Sequence, residues 1–176
     1  MTLLETQTAS SSATISFTSG IDSTYKEYIF KFINIHAATD LAEFNFNLSI
    51  DGGSNYNVTK TTTAFEAYQN EAGDETSLGY ATTRDLAQST SDQLLVNNLG
   101  NANDENCVGT LHLFDPSNTT FVKHFIATMQ NVEGREYSWN QFIAGYANTT
   151  SAINAVKFVM SSGNIDAGVI KLYGIS

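Results

Sequence analysis

Apolar and polar residues alternate along much of the chain, and the alternation is clearest between residues 44 and 50. Four apolar side chains there are separated by three polar ones: Phe44, Phe46, Leu48 and Ile50 by Asn45, Asn47 and Ser49. A period of two places the two sets on opposite faces of a β-strand. Asp51-Gly52-Gly53-Ser54 follows directly and is typical of a hairpin turn. The pattern predicts a strand with one apolar face, one solvated face and a tight turn at its end.

Similar patterns predict nine further strands and almost no helix. These lie at residues 15–17, 25–35, 59–63, 93–96, 108–114, 120–129, 137–146, 153–160 and 169–175. Apolar residues on both faces of 25–35 indicate a central strand, or one with a bulge that switches faces. Asp115-Pro116-Ser117-Asn118 predicts the turn of a hairpin. The spacing favours an all-β fold, a jelly-roll-type antiparallel β-sandwich of about eight to ten strands with little helix.

The chain is predicted to form one β-sandwich domain, residues 13–176, preceded by an extended N-terminal arm, residues 1–12. The arm is inferred from a polar run with few bulky residues, for which a frayed terminus is the alternative. Within the domain, residues 64–72 fit either a helical turn or a strand, while 73–81 and 100–106 are predicted surface loops. A chain of 176 residues buries enough surface to fold without a metal, and its single cysteine excludes an intrachain disulfide.

Hydroxyl and amide side chains, rather than charges, dominate the polar residues. The chain has 21 Thr, 17 Ser and 17 Asn, against eight Lys plus Arg and 18 Asp plus Glu. The net charge is −10 and the cations are scattered, so neither nucleic acid nor an anionic membrane is an expected ligand. No segment approaches the roughly 20 apolar residues that span a bilayer, and no signal peptide is recognisable. Synthesis in a cytoplasm without export is expected.

Neither a metal site nor a catalytic site is predicted. His112 and His124 are expected roughly opposite each other in the hairpin, but no Asp, Glu or Cys completes a zinc site on that face. Residues 51–55 and 101–106 are rich in oxygen ligands, yet turn chemistry and a solvated loop explain them better than calcium. No Gly-x-Ser-x-Gly motif or activated nucleophile is evident. Carboxylates paired from distant strands remain an open alternative, but the pattern favours a non-enzymatic protein without a cofactor.

Tyr137 and Trp139 are the candidate binding residues. Trp139 is the only tryptophan, and amides at Asn140 and Gln141 follow it. An aromatic platform bordered by amides can stack on the C–H face of a sugar while the amides bind its hydroxyls. The alternative is that Trp139 belongs to the core of the sandwich.

Four segments near the two ends of the chain resemble a known group of proteins. They are residues 15–28 (ISFTSGIDSTYKEY), 35–40 (IHAATD), 49–54 (SIDGGS) and 162–175 (SGNIDAGVIKLYGI), 40 residues in all. They are similar to a domain that recurs in small structural proteins of tailed phages, marine ones especially, whereas residues 64–100 carry none of the resemblance. The resemblance implies a virion component that forms homo-oligomers, with a trimer favoured, and that contacts other virion proteins.

Together these observations predict a non-enzymatic structural protein of a tailed-phage particle, located in the virion after synthesis in the host cytoplasm. It is expected on the particle exterior, as a head-decoration or tail/fibre component that contacts host-surface glycans. The alternative is a free carbohydrate-binding module of β-sandwich type, with Tyr137 and Trp139 as its platform.

Overall fold

The computed structural model describes residues 1–176 and consists of twelve β-strands joined by turns and loops, without a helix. The strands are β1 (Thr2–Ser12), β2 (Thr14–Phe17), β3 (Glu27–Ala37), β4 (Ala42–Ser49), β5 (Lys60–Asn70), β6 (Thr76–Tyr80), β7 (Gln93–Leu99), β8 (Cys107–Phe114), β9 (Lys123–Glu133), β10 (Tyr137–Ala147), β11 (Ala155–Met160) and β12 (Ile165–Ile175). The all-β prediction is confirmed, and the predicted strands correspond to ten of these twelve. The chain contains no helix with the length and hydropathy that crossing a membrane requires.

The strands form two antiparallel layers that meet at one corner. The larger layer has eight strands in the order β1-β12-β3-β8-β9-β10-β5-β6, and the smaller has four in the order β7-β4-β11-β2. The corner is a single pair between β7 and β9, Leu99 with Glu133. Strands from the beginning and end of the chain are neighbours in both layers, as the interleaved connections of a jelly roll require. The predicted antiparallel sandwich is therefore confirmed.

Aromatic side chains fill the space between the two layers. Phe158 of β11 is fully buried, and its ring centroid lies 5.1 Å from that of Phe32 and 5.2 Å from that of Phe30, both on β3. Phe46 of β4 packs edge-on against Phe125 of β9 at 5.1 Å. These rings belong to one continuous core of 34 buried residues. Because each contact joins the smaller layer to the larger one, this core holds the sandwich closed.

The solvated face predicted for β4 is wrong, because both faces of that strand are buried. Asn45, Asn47 and Ser49 are 7%, 1% and 0% exposed. The segment before β7 and the first residue of β5 cover this face, where Asp92 and Lys60 contact Asn47. Buried amides persist in proteins when their oxygen and nitrogen atoms both find hydrogen-bond partners, and those of Asn47 do.

The sequence patterns do not predict β1 or β6. Residues 1–12, the expected arm, include β1, which pairs with β12 from Thr2 opposite Gly174 to Ser12 opposite Ile165. β6 lies in the expected loop at 73–81, pairs with β5 and is exposed along its whole length. Both are edge strands of the larger layer. They contribute few residues to the core, so they lack the alternation that marks a half-buried strand.

β3 is a central strand with a bulge, as its pattern predicts. Asn34 has a φ of 50°, and the register with β8 shifts between Phe32 and Ile35. As a result Ile35 is fully buried, whereas Ile33 is 39% exposed on the opposite face of the larger layer. Ile33 faces outward by ordinary alternation, and the bulge turns Ile35 to the inside of the sheet, into the core.

Candidate functional site

Trp139 and Tyr137 lie on the same side of β10 but do not form an open platform. Trp139 is only 7% exposed, with the Arg84 guanidinium 4.8 Å and the Tyr68 ring 4.9 Å from its ring centroid. Tyr137 is half-buried and donates its hydroxyl to Glu75 at 2.6 Å. Too little of the Trp139 ring is accessible for a sugar to stack on it. The predicted platform is therefore corrected to a packed aromatic cluster.

A partly buried ion pair holds the indole in place. Its Nε1–H donates to Glu66 Oε2 at 2.9 Å, and Glu66 is also ion-paired with Arg84. Burial lowers the pKa of the Arg84 guanidinium from its ordinary value. A hydrogen-bonded carboxylate partner offsets the cost of burying such a charge. These contacts tie β5 and β10 to the segment that follows β6, which is a structural role.

The two histidines of the β8–β9 hairpin lie diagonally rather than opposite each other. His112 is opposite Ile126, and its Nδ1 lies 2.6 Å from Glu27 Oε1. His124 instead lies beside Tyr146, with ring centroids 6.2 Å apart. No group of three His, Cys, Asp or Glu side chains in the chain is close enough to hold a metal ion.

The two oxygen-rich segments use their carboxylates within their own loops. Asp51 accepts hydrogen bonds from the side chains of Asn55 and Ser49, each at 2.7 Å, and these bonds lower the pKa of Asp51 to about 2. This agrees with the predicted turn. Glu105, expected in a solvated loop, is 7% exposed because its carboxylate folds back to accept the Ala102 N–H at 2.6 Å.

A buried polar cluster that the sequence patterns do not predict lies on the face of β4 that points away from the larger layer. Lys60 is fully buried, and its Nζ donates to Asn47 Oδ1 at 2.6 Å and to the Val58 carbonyl at 2.8 Å. The Nδ2 of Asn47 donates to Asp92 Oδ1 at 2.7 Å. Asp92 is in turn paired with Lys157 at 3.3 Å. We call Asn47, Lys60, Asp92 and Lys157 the amide–lysine cluster.

Lys60 is unusual for a buried lysine, because no carboxylate is in direct contact with its amine. Burial lowers the pKa of Lys60 to about 8, while attraction to Asp92 opposes the shift and repulsion from Lys157 adds to it. A lysine with a depressed pKa carries a substantial fraction of neutral, nucleophilic amine near pH 8. The other buried nucleophile, the Cys107 thiol, has its pKa raised by burial and is therefore unreactive.

The outward side of the eight-stranded layer carries most of the exposed large apolar side chains, which lie among polar residues such as Thr110, Thr128 and Gln130. Strand registers place seven of the eleven most exposed large apolar side chains on it: Leu3, Ile33, Phe65, Leu78, Tyr80, Val108 and Ile126. Their exposed fractions run from 39% for Ile33 to 76% for Leu78. We call this surface the outer sheet face. A face that gathers exposed apolar side chains is a candidate interaction site.

The outer sheet face has a cationic half and an aromatic half. On β3 and β12, Lys31 and Lys171 lie directly opposite each other, and neither forms a salt bridge. On β5, β6 and β10, the rings of Phe65 and Phe142 stack with centroids 4.7 Å apart, next to the exposed Tyr80. Like charges placed opposite each other are unfavourable unless a partner group neutralises them.

Two shallow depressions adjoin His124 at one end of the outer sheet face. The first has a volume of about 440 Å³ and is walled by Ile126 and Tyr146 with threonines of β5. The second has a volume of about 580 Å³ and is lined by Phe114 and Phe121 with Asn118 and other polar residues. A site lined by aromatic rings and hydroxyl groups is suited to binding a neutral polar ligand.

Comparisons with known proteins add no family assignment. No protein-family model matches the chain, and no curated protein matches it either. The four segments on which the resemblance to tailed-phage proteins is based include most of β2, both ends of β3, the turn after β4 and all of β12. They lie in strands and turns of the sandwich, apart from the amide–lysine cluster and from the aromatic half of the outer sheet face.

Proposed function

We propose that the chain is a non-enzymatic structural protein of a tailed-phage particle, exposed on the head or tail, where it assembles with copies of itself. The outer sheet face is the contact surface in this proposal. The observation that supports it is the concentration of exposed apolar side chains on that face. Exposed apolar side chains gathered on one face are costly to leave in water, so a protein partner is expected there.

The size of the outer sheet face suits a specific protein contact. Eight strands about 4.8 Å apart span roughly 38 Å, and strands that average about ten residues rise roughly 33 Å, so the face covers on the order of 1,200 Å². A specific interface buries about 1,200 to 2,000 Å² in total over both partners. A contact that uses half of the face on each copy buries about 600 Å² per partner, which is at the lower end of this range.

Charge favours a second copy as the occupant. The chain carries a net charge of −10, so two copies repel each other across most of their surfaces. On the outer sheet face, however, Lys31 and Lys171 form no salt bridge, although Lys31 Nζ lies 5.4 Å from the Tyr173 ring centroid. The opposite half presents the Phe65, Phe142 and Tyr80 rings. Laying the cationic half of one copy on the aromatic half of the next brings lysine ammonium groups over ring faces. A head-to-tail contact of this kind forms a ring when the rotation between copies closes, and we propose a trimer.

Self-association is tested by measuring the molar mass of the purified full-length chain by light scattering across a range of concentrations. A trimer is expected for the natural sequence. The variant Phe65→Thr, Leu78→Thr, Ile126→Thr removes apolar surface from the outer sheet face and is expected to be monomeric. The matched control, Leu41→Thr with Ile50→Thr, removes exposed apolar residues from elsewhere and is expected to stay a trimer. A natural chain that is monomeric at the highest concentration overturns the proposed assembly.

The particle assignment is tested separately. Mass spectrometry of purified phage particles from the source that encodes the chain is expected to detect it at a constant ratio to the other particle proteins. Absence from washed particles that contain the remaining structural proteins overturns the assignment.

Binding of neutral glycans is a second candidate function, favoured by the depressions beside His124. Aromatic rings at Phe121 and Tyr146 stand next to threonine hydroxyls and the Asn118 amide, and Phe121 is 69% exposed. This arrangement supplies the ring faces that the buried Trp139 does not. It fits either a particle protein that contacts host-surface glycans or a free carbohydrate-binding module.

A glycan array with the purified protein tests this second function. Binding that is lost in Phe121→Ala and in His124→Ala, but retained in the matched outer-face variant Leu78→Thr, is expected. Tight binding by a monomer favours the free module over the particle protein. If the protein binds no glycan on the array but still self-associates, the glycan-binding function is rejected and the structural function is retained.

A further inference from the structure

We propose that Lys60 and Asn47 join covalently, forming an amide bond between the two side chains with release of ammonia. The two side chains are 0% and 1% exposed, and Lys60 Nζ lies 2.6 Å from Asn47 Oδ1. The reaction is a modification of the protein by its own residues. It depends only on the amide–lysine cluster, so it stands or falls independently of the proposed function.

The amine is already close to the carbon it must attack. A carbonyl bond is about 1.23 Å long, so Nζ lies within about 3.8 Å of Asn47 Cγ. Productive attack needs a separation of about 3 to 3.5 Å, which a small movement of the lysine side chain supplies. Burial holds both groups in place, because the surrounding core leaves neither side chain free to turn into solvent.

A hydrogen bond to Oδ1 polarises the Asn47 carbonyl in the direction the reaction requires. Its Oδ1 accepts the Leu48 N–H at 2.9 Å, and this donor stabilises the negative charge that develops on the oxygen. Its Nδ2 donates to Asp92 Oδ1 at 2.7 Å and to the Thr90 carbonyl at 3.0 Å. Asp92 therefore contacts the nitrogen that has to leave.

The atoms and protons of the reaction balance without an external reagent. Neutral Lys60 Nζ attacks Asn47 Cγ, a C–N bond forms, and the carbonyl electron pair moves onto Oδ1. Asp92 accepts a proton from the attacking nitrogen and returns it to Nδ2, which shares the same carbon in the tetrahedral intermediate. The carbonyl re-forms, the bond from Cγ to Nδ2 breaks, and ammonia leaves. Asp92 ends as a carboxylate, and nothing is oxidised or reduced.

Burial supplies the driving force. A protonated Lys60 is a buried cation without a contacting carboxylate, and such a charge is costly in a protein interior. Burial also lowers the pKa of Lys60 to about 8, so the neutral amine is accessible. The product is an uncharged amide that needs no counter-ion. The new bond links β4 in the smaller layer to the first residue of β5 in the larger layer.

Intact mass spectrometry of the denatured full-length protein tests the proposal. The expected mass is lower than the sequence mass by one ammonia molecule, after allowance for removal of Met1. Proteolytic mapping is expected to recover a branched peptide that joins residues 47 and 60, with no cleavage by trypsin after Lys60. Lys60→Met and Asp92→Asn are expected to show the full sequence mass, and the matched control Lys171→Met is expected to keep the loss.

Two results overturn the proposal. One is a natural chain that retains the full sequence mass after prolonged incubation at pH 9, where most of the Lys60 amine is neutral. The other is a loss of ammonia that maps to a single asparagine as a cyclic imide, with an unmodified Lys60. Both measurements use the natural chain, so they decide the question even if a variant fails to fold. Circular dichroism of each variant shows whether its mass can be compared with that of a folded protein.

Discussion

Replacement of Phe158 by alanine tests how the two layers are held together. The ring is fully buried on β11 and lies within 6.2 Å, centroid to centroid, of four other rings: Phe17, Phe30, Phe32 and Phe44. Two of these partners belong to the smaller layer and two to the larger. No other ring in the chain has four aromatic partners, so its removal weakens contacts on both sides of the interface.

The expected loss follows from the cavity and the ring pairs. Truncating a buried Phe to Ala costs about 3 to 5 kcal/mol, and each well-placed aromatic pair adds about 0.5 to 1.5 kcal/mol beyond burial. The two energies cannot simply be added, because the cost of truncating Phe to Ala already includes part of the energy of its aromatic pairs. We expect Phe158→Ala to lower the free energy of unfolding by about 5 kcal/mol, a large part of the roughly 5 to 15 kcal/mol typical of a domain.

Urea denaturation followed by fluorescence and circular dichroism measures this loss. The midpoint is expected to fall with little change in the m-value, since the folded state exposes no additional surface. Phe158→Leu keeps much of the volume and is expected to lose roughly 1 to 2 kcal/mol. Phe121→Ala is the surface control, because that ring is 69% exposed, and it is expected to change stability by less than about 0.5 kcal/mol. A loss below about 2 kcal/mol for Phe158→Ala contradicts a core built on this ring.

Three further predictions concern single contacts. Trp139→Phe removes the donor to Glu66 and leaves its carboxylate underpaired, so thermal denaturation is expected to show a loss of about 1 to 3 kcal/mol; an unchanged melting temperature contradicts this. The hydrogen bonds from Asn55 and Ser49 lower the pKa of Asp51 from 3.8 to about 2. The Asp51 carboxylate therefore stabilises the fold above pH 3.8, and this contribution is lost as the pH falls through about 2. The melting temperatures of the natural chain and Asp51→Asn should differ at pH 6 and converge near pH 2. Gly168 has a φ of +119° and a backbone carbonyl of β3 where a Cβ would sit. Gly168→Ala is expected to cost about 1 to 3 kcal/mol in urea denaturation, and a neutral effect argues against strain there.

Local patterns predict the strands that border the core. The alternation in 108–114 and 120–129, with Asp115-Pro116-Ser117-Asn118 between them, predicts the β8–β9 hairpin, and the Asn118 N–H does bond the Asp115 carbonyl at 3.0 Å. β1 and β6 escape prediction because most of their side chains face water on both sides. A strand without a buried face shows no alternation of apolar and polar residues, so only its pairing with a neighbouring strand identifies it.

Packing of segments that are distant in sequence determines which polar strand faces are buried, and the local sequence pattern does not predict it. The polar residues of β4 alternate as those of a solvated strand do, and only the packing of Lys60 and Asp92 over Asn47 shows that this face is closed. Nothing in the threonine-rich run around Lys60 distinguishes it from a surface lysine. The outer sheet face cannot be predicted from local sequence patterns either, because each strand contributes only one or two apolar residues to it. The register of eight strands brings them together.

β5 contributes residues both to the buried amide–lysine cluster and to the outer sheet face. Lys60 begins the strand and faces inward to the amide–lysine cluster, whereas Phe65 faces outward in the aromatic half of the outer sheet face. Beyond β5 lies β6, an edge strand that is exposed along its length and held by β5 alone. Edge hairpins of this kind open readily, because few buried contacts oppose their separation. A covalent bond from Lys60 to β4 anchors β5 at its start, where the chain enters the larger layer. In the proposed assembly, the proposed bond limits how far the aromatic half can move against a second copy.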